Sequence, residues 1–221
     1  STRKMPIRAF SFVWDVAFLS NPDSMARALV IGTGFVGSAI QLKLRAQGWD
    51  AAGSSLHGQA SEFACDISQL ASVEALAAAF PAPELVVHCA SSPRGGGVNG
   101  YQAVYRDGCA HLASTFPKAH LIYTSSSSVY GQTDGEWVDE SAPTCPVAAT
   151  SEVLLEAEAS ILNADGTVMR LAGLYGPGRS VILKKFLSGE AVIEEGSGRF
   201  LNQIHRDDAA AALVHLATHP A

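Results

Sequence analysis

The sequence predicts an α/β fold built on a doubly wound, mainly parallel sheet. Three observations carry this reading. A short apolar run enters a glycine turn and leaves as an amphipathic stretch (Ala28 to Gly48), and further apolar runs alternate with helical stretches. The third is an unbroken segment, Leu85-Val86-Val87-His88-Cys89-Ala90, of the kind found in strands covered on both faces.

The elements follow in order. Ala28-Leu29-Val30-Ile31 reads as the first strand and Gly32-Thr33-Gly34-Phe35-Val36-Gly37 as a GxGxxG turn. In such a turn Gly32 permits a tight bend, Gly34 lets backbone approach a phosphate, and Gly37 lets helix and strand pack closely. The free N–H groups at the helix start, around Phe35 and Val36, then face the anion without help from a basic side chain. The pattern is a dinucleotide signature of the Rossmann type, with a purely structural glycine turn as the alternative. Asp50-Ala51-Ala52 reads as a short second strand and residues 53–58 as the loop beyond it, where the adenosine ribose would lie. An acidic residue in that loop would favour NAD. None is present, so Ser54, Ser55 and His57 lean the reading toward NADP, against the alternative of an ordinary polar surface loop.

Phe63 to Ile67 reads as the third strand, and Ser68 as the N-cap of an alanine-rich helix through Phe80 that Pro81 and Pro83 end. After the apolar fourth strand, Pro93 to Gly100 reads as a mobile glycine-rich loop at the carboxyl edge of the sheet, where ligands bind in such folds. Residues 101–116 read as a helix in which His111 is a packed or surface residue. Ala119 to Thr124 is the fifth strand, running into Ser125-Ser126-Ser127-Ser128-Val129-Tyr130-Gly131.

Composition narrows the partners. The 221 residues, 48% hydrophobic and 16% charged, suffice for one good core. A net charge of −6 with no dense run of Lys or Arg argues against a nucleic-acid surface and for a small-molecule substrate. Cys65, Cys89, Cys109 and Cys145 are widely separated and form no CxxC, which fits reduced thiols in a cytoplasmic protein; the histidines form no HExxH, so no metal site is expected. The apolar run Ala9 to Leu19 is split by Asp15 and too short to cross a bilayer, so no membrane role is expected. Residues 1–24 are read as an N-terminal extension, native or a start-site artefact. Its aromatics would pack on the domain at 25–221 or on a second copy in a homodimer.

Several ordered motifs now resemble one family. GTGFVG, Asp66-Ile67, His88-Cys89-Ala90-Ser91, SSSSVYG, Arg170 to Arg179 and Asn202 to Asp208 are similar to the extended short-chain dehydrogenase/reductases, in the branch of NAD-dependent epimerases and dehydratases. The resemblance implies an NAD(P) cofactor, with Asp66 and Ile67 at the adenine, Ala90 and Ser91 beside the ribose, and Ala172 and Gly173 flanking the nicotinamide. It implies that Ser126 hydrogen-bonds a substrate carbonyl or alcohol. It also implies a Tyr-x-x-x-Lys pair in which the tyrosine is the acid/base and the lysine lowers its pKa. Counting back from Leu155-Glu156-Ala157-Glu158 places Thr150 and Leu154 at those two positions, so Tyr130 and Tyr175 become the substitute acids. Family members carry a substantial carboxyl-terminal lobe, of which a reduced part is expected from about residue 174. The expected function is an NAD(P)-binding oxidoreductase or epimerase/dehydratase acting on a small polar or nucleotide-sugar substrate. The alternative is a non-catalytic dinucleotide-binding module that senses redox state.

Overall fold

A computed structural model describes residues 25–59, 61–192 and 201–219; the expected extension at 1–24 lies outside them. Six strands form one sheet: β1 (Arg27–Ile31), β2 (Asp50–Ser55), β3 (Phe63–Ala64), β4 (Leu85–His88), β5 (His120–Ser126) and β6 (Thr167–Leu171). Their order is β3-β2-β1-β4-β5-β6 and every pairing is parallel. The chain winds outward from β1 in one direction, then from β4 in the other. A crevice therefore opens between the carboxyl ends of β1 and β4, the point where the winding reverses.

The alternation of side chains along β1 divides the core. Ala28 and Val30 face α1 (Gly37–Ala46) and α7 (Arg206–Thr218), where Ile40, Leu44, Leu213 and Val214 close over them. Leu29 and Ile31 face the other layer, formed by α2 (Leu70–Ala79), α4 (Gly108–Thr115) and α5 (Ala149–Leu162). Both faces of the central strands are thus dry, which is why they read as continuous apolar runs. After β6, two short parallel strands, β7 (Gly173–Tyr175) and β8 (Gln203–His205), form a separate pair, with α6 (Val181–Leu187) between them in the chain.

Several boundaries differ from expectation. β2 runs on through Gly53, Ser54 and Ser55 instead of ending at Ala52, because these residues pair with Val30 and Ile31 on one side and with β3 on the other. A Cβ at Gly53 would lie 2.3 Å from the Thr33 methyl, so the glycine marks a crowded strand and not a loop. The third strand is only two residues long. Asp66 accepts hydrogen bonds from the Ser68 N–H (3.0 Å) and hydroxyl (2.7 Å), a side-chain turn that bends the chain before α2 and commits Ser68 to Asp66 instead of to capping.

The glycine-rich stretch after β4 is also partly helical. α3 (Gly97–Tyr101) leads without a break into a π-helical segment (Gln102–Asp107) and then α4. Hydrogen bonds from Gly96 N–H to Pro93 O and from Gly100 N–H to Gly96 O pull Gly96 and Gly100 into the helix start.

Candidate functional site

The site is built where β1 hands the chain to α1. The Ser54 carbonyl accepts the N–H groups of both Gly32 (2.9 Å) and Thr33 (3.0 Å), which fixes the turn against the end of β2. Gly32 has φ +91°, and a Cβ there would sit 2.4 Å from backbone atoms of Ala90 at the exit of β4. At Gly37 a Cβ would lie 2.1 Å from the Gly32 carbonyl oxygen, so only glycine lets the helix start this close to the strand. Gly34 is different. A Cβ built there meets nothing within 4 Å, so the surface of the turn is open at this residue. The first turn of α1 carries no acidic side chain and its N-cap makes no side-chain hydrogen bond, leaving its N–H dipoles unopposed.

Across the crevice, the exit of β4 is held by His88, which is 1% exposed. Its Nδ1 accepts the Ala90 N–H (3.2 Å), which fixes the proton on Nε2, and Nε2 donates to the Val104 carbonyl in the π-helical segment (3.0 Å). Burial pulls the imidazole pKa down to about 4, so the ring is neutral. Burial also pushes the neighbouring Cys89 thiol up to about 12. Ala90 and Ser91 lie at this exit, Ser91 exposed. Tyr105, carried on the π-helical segment, accepts the Ser92 N–H through its hydroxyl at 3.2 Å.

On the adenosine side the expected residues have unequal access. Ser54 is fully buried and its hydroxyl has no partner among the described residues, so its side chain cannot reach a ligand; its carbonyl shapes the glycine turn instead. Ser55 is half-buried at the strand end, where its hydroxyl accepts from Ser61 at 2.9 Å. Ile67 is buried beneath Gly108, and its carbonyl is within 2.9 Å of His111 Nδ1, a packing role for that histidine. Asp66 remains half-buried with Oδ1 engaged by Ser68. An acid absent from the expected loop appears nearby. Glu62 accepts hydrogen bonds from Gly53 N–H (2.8 Å), Gln41 (3.0 Å) and Arg45. Desolvation raises its pKa, but these donors outweigh that and hold it at about 2, so the carboxylate is committed to bracing β2 against α1.

At the other end, the register places Ser126 beside Leu171, so Ala172 and Gly173 follow directly past the serine. Ser126 is half-buried and its Oγ accepts the Ser128 N–H at 3.2 Å, capping the short turn Ser127–Val129. Ser125 points inward and donates to Glu158 at 2.6 Å. Glu158 is buried, and Arg170 grips it from Nε (3.1 and 3.2 Å) and from a terminal nitrogen (2.6 Å). The second terminal nitrogen of Arg170 donates to the Tyr130 hydroxyl at 2.7 Å. Tyr130 is therefore anchored by an arginine, with its own proton still available to donate. Tyr175 is more exposed and packs edge-on against His205, 5.2 Å between ring centres. Thr150 stands half-buried in the first turn of α5, and Leu154 is buried in the core that includes Tyr123 and Val129.

The sequence reading missed the Ser125–Glu158–Arg170–Tyr130 chain and the two-sided role of His88. The signals were present: a lone histidine in an apolar strand, and a glutamate on the inner face of an alanine- and leucine-rich helix. Among the described residues, no group of three or more His, Cys, Asp or Glu could hold a metal, and no helix is long and apolar enough to cross a membrane.

Comparison with known proteins finds relatives that share this fold. The chain is 31% identical to protein YeeZ of Escherichia coli K12, over 89% of this chain and 74% of that protein. It is 32% identical to a decarboxylating sterol-4-alpha-carboxylate 3-dehydrogenase of Schizosaccharomyces pombe, over 80% of this chain and 57% of that enzyme. Among solved structures, an NAD-dependent epimerase/dehydratase-type protein of Methylobacillus flagellatus superposes with a TM-score of 0.72 at 28% identity, covering 89% of this chain and 72% of that one. The WbmH enzyme of Bordetella bronchiseptica, solved with NAD+, shares the fold with a TM-score of 0.74 at 18% identity, covering 89% and 73%. The profile of the NAD dependent epimerase/dehydratase family matches residues 28–221. The chain belongs to the NAD-dependent epimerase/dehydratase family.

Proposed function

We propose that this protein binds a nicotinamide dinucleotide across the crevice between β1 and β4 and serves as an oxidoreductase or epimerase/dehydratase on a small polar or nucleotide-sugar substrate. The observation that carries the reading is Gly34, the one glycine of the turn with open space at its Cβ position, beside two that backbone contacts close. Support comes from relatives of the same fold solved with NAD+ or NADP. Ser55 and Asp66 would hold the adenosine half, and Ala172 and Gly173 the nicotinamide half. A bound nicotinamide supplies hydride transfer. Ser126 would then orient a carbonyl or alcohol through its hydroxyl, and Tyr130, whose oxygen accepts from Arg170, would be the acid that supplies the proton.

Gly34→Val tests the site. A β-branched side chain there would fill the open approach from a Cβ that meets nothing within 4 Å, so the variant should fold and lose thermal stabilisation by NAD and NADP. A folded Gly34→Val protein that both cofactors still stabilise would refute the assignment. The buried Leu154 and the threonine at 150 favour a second reading, a module that binds dinucleotide without turning over substrate. Cofactor binding with no hydride exchange across carbonyl and nucleotide-sugar substrates would support the module. Turnover that Ser126→Ala abolishes would support the enzyme.

A further inference from the structure

We propose that Arg179 is a diphosphate clamp, held on the ring of Phe35 and positioned to close over the phosphates of a dinucleotide lying on the glycine turn. The inference rests on the dinucleotide site above and adds a residue that the turn itself does not contain. Phe35 directly follows Gly34, so its ring is carried by the turn. Two guanidinium groups lie against that ring, Arg179 at 5.1 Å and Arg206 at 5.5 Å from its centre. They are not equivalent. Arg206 is committed to Asp207, with Nε 2.8 Å from Oδ1, whereas Arg179 has no acidic partner among the described residues.

The backbone beneath Arg179 is fixed although its side chain is exposed. Gly176 and Arg179 exchange both backbone hydrogen bonds at 2.9 Å, closing a tight turn that needs the left-handed Gly178 (φ +73°). That turn is seated on the aromatic ring: a Cβ at Gly176 would lie 3.3 Å from Phe35 Cζ. A chain of net charge −6 thus holds beside its glycine turn a guanidinium that no acid among the described residues pairs with, resting on a ring that restrains it through its face and not through its N–H donors. Guanidinium presents paired, coplanar donors that match phosphate oxygens, so an organic diphosphate is the chemistry it fits. Two ligands offer a diphosphate, the dinucleotide and a nucleotide sugar. The seat on Phe35, part of the turn itself, assigns Arg179 to the dinucleotide.

The test is fluorescence titration of the full chain with NADPH and NADH, and calorimetric titration with UDP-glucose, for wild type, Arg179→Gln, Arg179→Lys and Arg206→Gln. Arg179→Gln should weaken binding of the tighter dinucleotide roughly tenfold, the loss expected for one charge-assisted contact, and should flatten its salt dependence. Arg179→Lys should fall between, keeping the charge and losing the paired geometry. UDP-glucose binding should not change. Equal dinucleotide affinity in wild type and Arg179→Gln would overturn the clamp while leaving the site intact. Weakened UDP-glucose binding would overturn the assignment to the dinucleotide. A wild-type protein that binds neither NADPH nor NADH would remove the dinucleotide reading itself, and the clamp with it.

Discussion

His88 and Val104 are joined by a hydrogen bond that ties the central strand β4 to the π-helical segment, 3.0 Å from Nε2 to the carbonyl oxygen. The same ring holds Ala90, the residue whose backbone Gly32 can approach only because it lacks a side chain. One buried imidazole therefore fixes the β4 side of the crevice at two points.

Replacing His88 with leucine strands the Ala90 N–H and the Val104 carbonyl in the interior, which should cost about 2–4 kcal/mol by urea unfolding at pH 7. The wild-type pH profile carries a second signature. The folded pKa of about 4 lies below the ordinary value of about 6.5, so unfolding is accompanied by proton uptake between them. The stability His88 contributes is complete above pH about 6.5 and is lost as pH falls toward 4. His88→Gln should remove that portion of the slope.

The three glycines of the turn should separate by function. Gly37→Ala places a methyl carbon 2.1 Å from a backbone oxygen that cannot yield, and should destabilise the fold by at least about 3 kcal/mol or leave it insoluble. Gly34→Ala meets no such obstacle, and its melting temperature without ligand should match wild type. Equal melting temperatures for the two variants would contradict the division of roles.

Arg170 should be among the costliest single losses outside the hydrophobic core. Arg170→Met leaves the Glu158 carboxylate buried with, among the described residues, only Ser125 to donate to it, a defect of about 3–5 kcal/mol. Adding Glu158→Gln should recover part of the loss, because the uncompensated charge is then gone. Additive losses in a double-mutant cycle would show that the two groups do not act as a pair.

Glu62 gives the acid signature of a carboxylate that the folded state stabilises in its charged form. Its folded pKa of about 2 is below its ordinary value of about 4.5, so its contribution is present above pH 4.5 and is lost as pH falls toward 2. Glu62→Gln should lower the melting temperature modestly at pH 7, since the Arg45 pair is nearly half exposed, and should make the acid limb between those pH values shallower.

Much of the fold was legible because burial on both faces leaves an unmistakable trace. The apolar runs of β1, β4 and β5 and the glycine turn place the crevice before any coordinates are known. Gly53, Ser54 and Ser55 misled because glycine and serine ordinarily mark turns. Here a glycine is required under Thr33 and Gln41, a crowding that depends on residues 12 to 20 positions away in the chain. The Gly-rich entry to α3 misled for the same reason. Glu158 and Arg170 each looked ordinary alone, since nothing local says that a helix and a strand will bring them together. The stacking of Arg179 on Phe35 joins residues from opposite ends of the domain and has no signature in either neighbourhood.

The winding of the sheet has a consequence for how the chain reaches this structure. β1 is born early but sits in the middle, with Ala28 facing Ala51 on one side and Leu85 on the other. Its second edge therefore waits while β2, β3 and α2 are made, and β4 in turn waits for His120 of β5. During synthesis, dry apolar strands stand with one ladder unformed for tens of residues, and loop closure opposes each pairing until its partner emerges. Folding should be slow for a chain of this size and the half-made sheet adhesive, which makes co-translational protection of β1 and β4 the step on which yield of soluble protein depends.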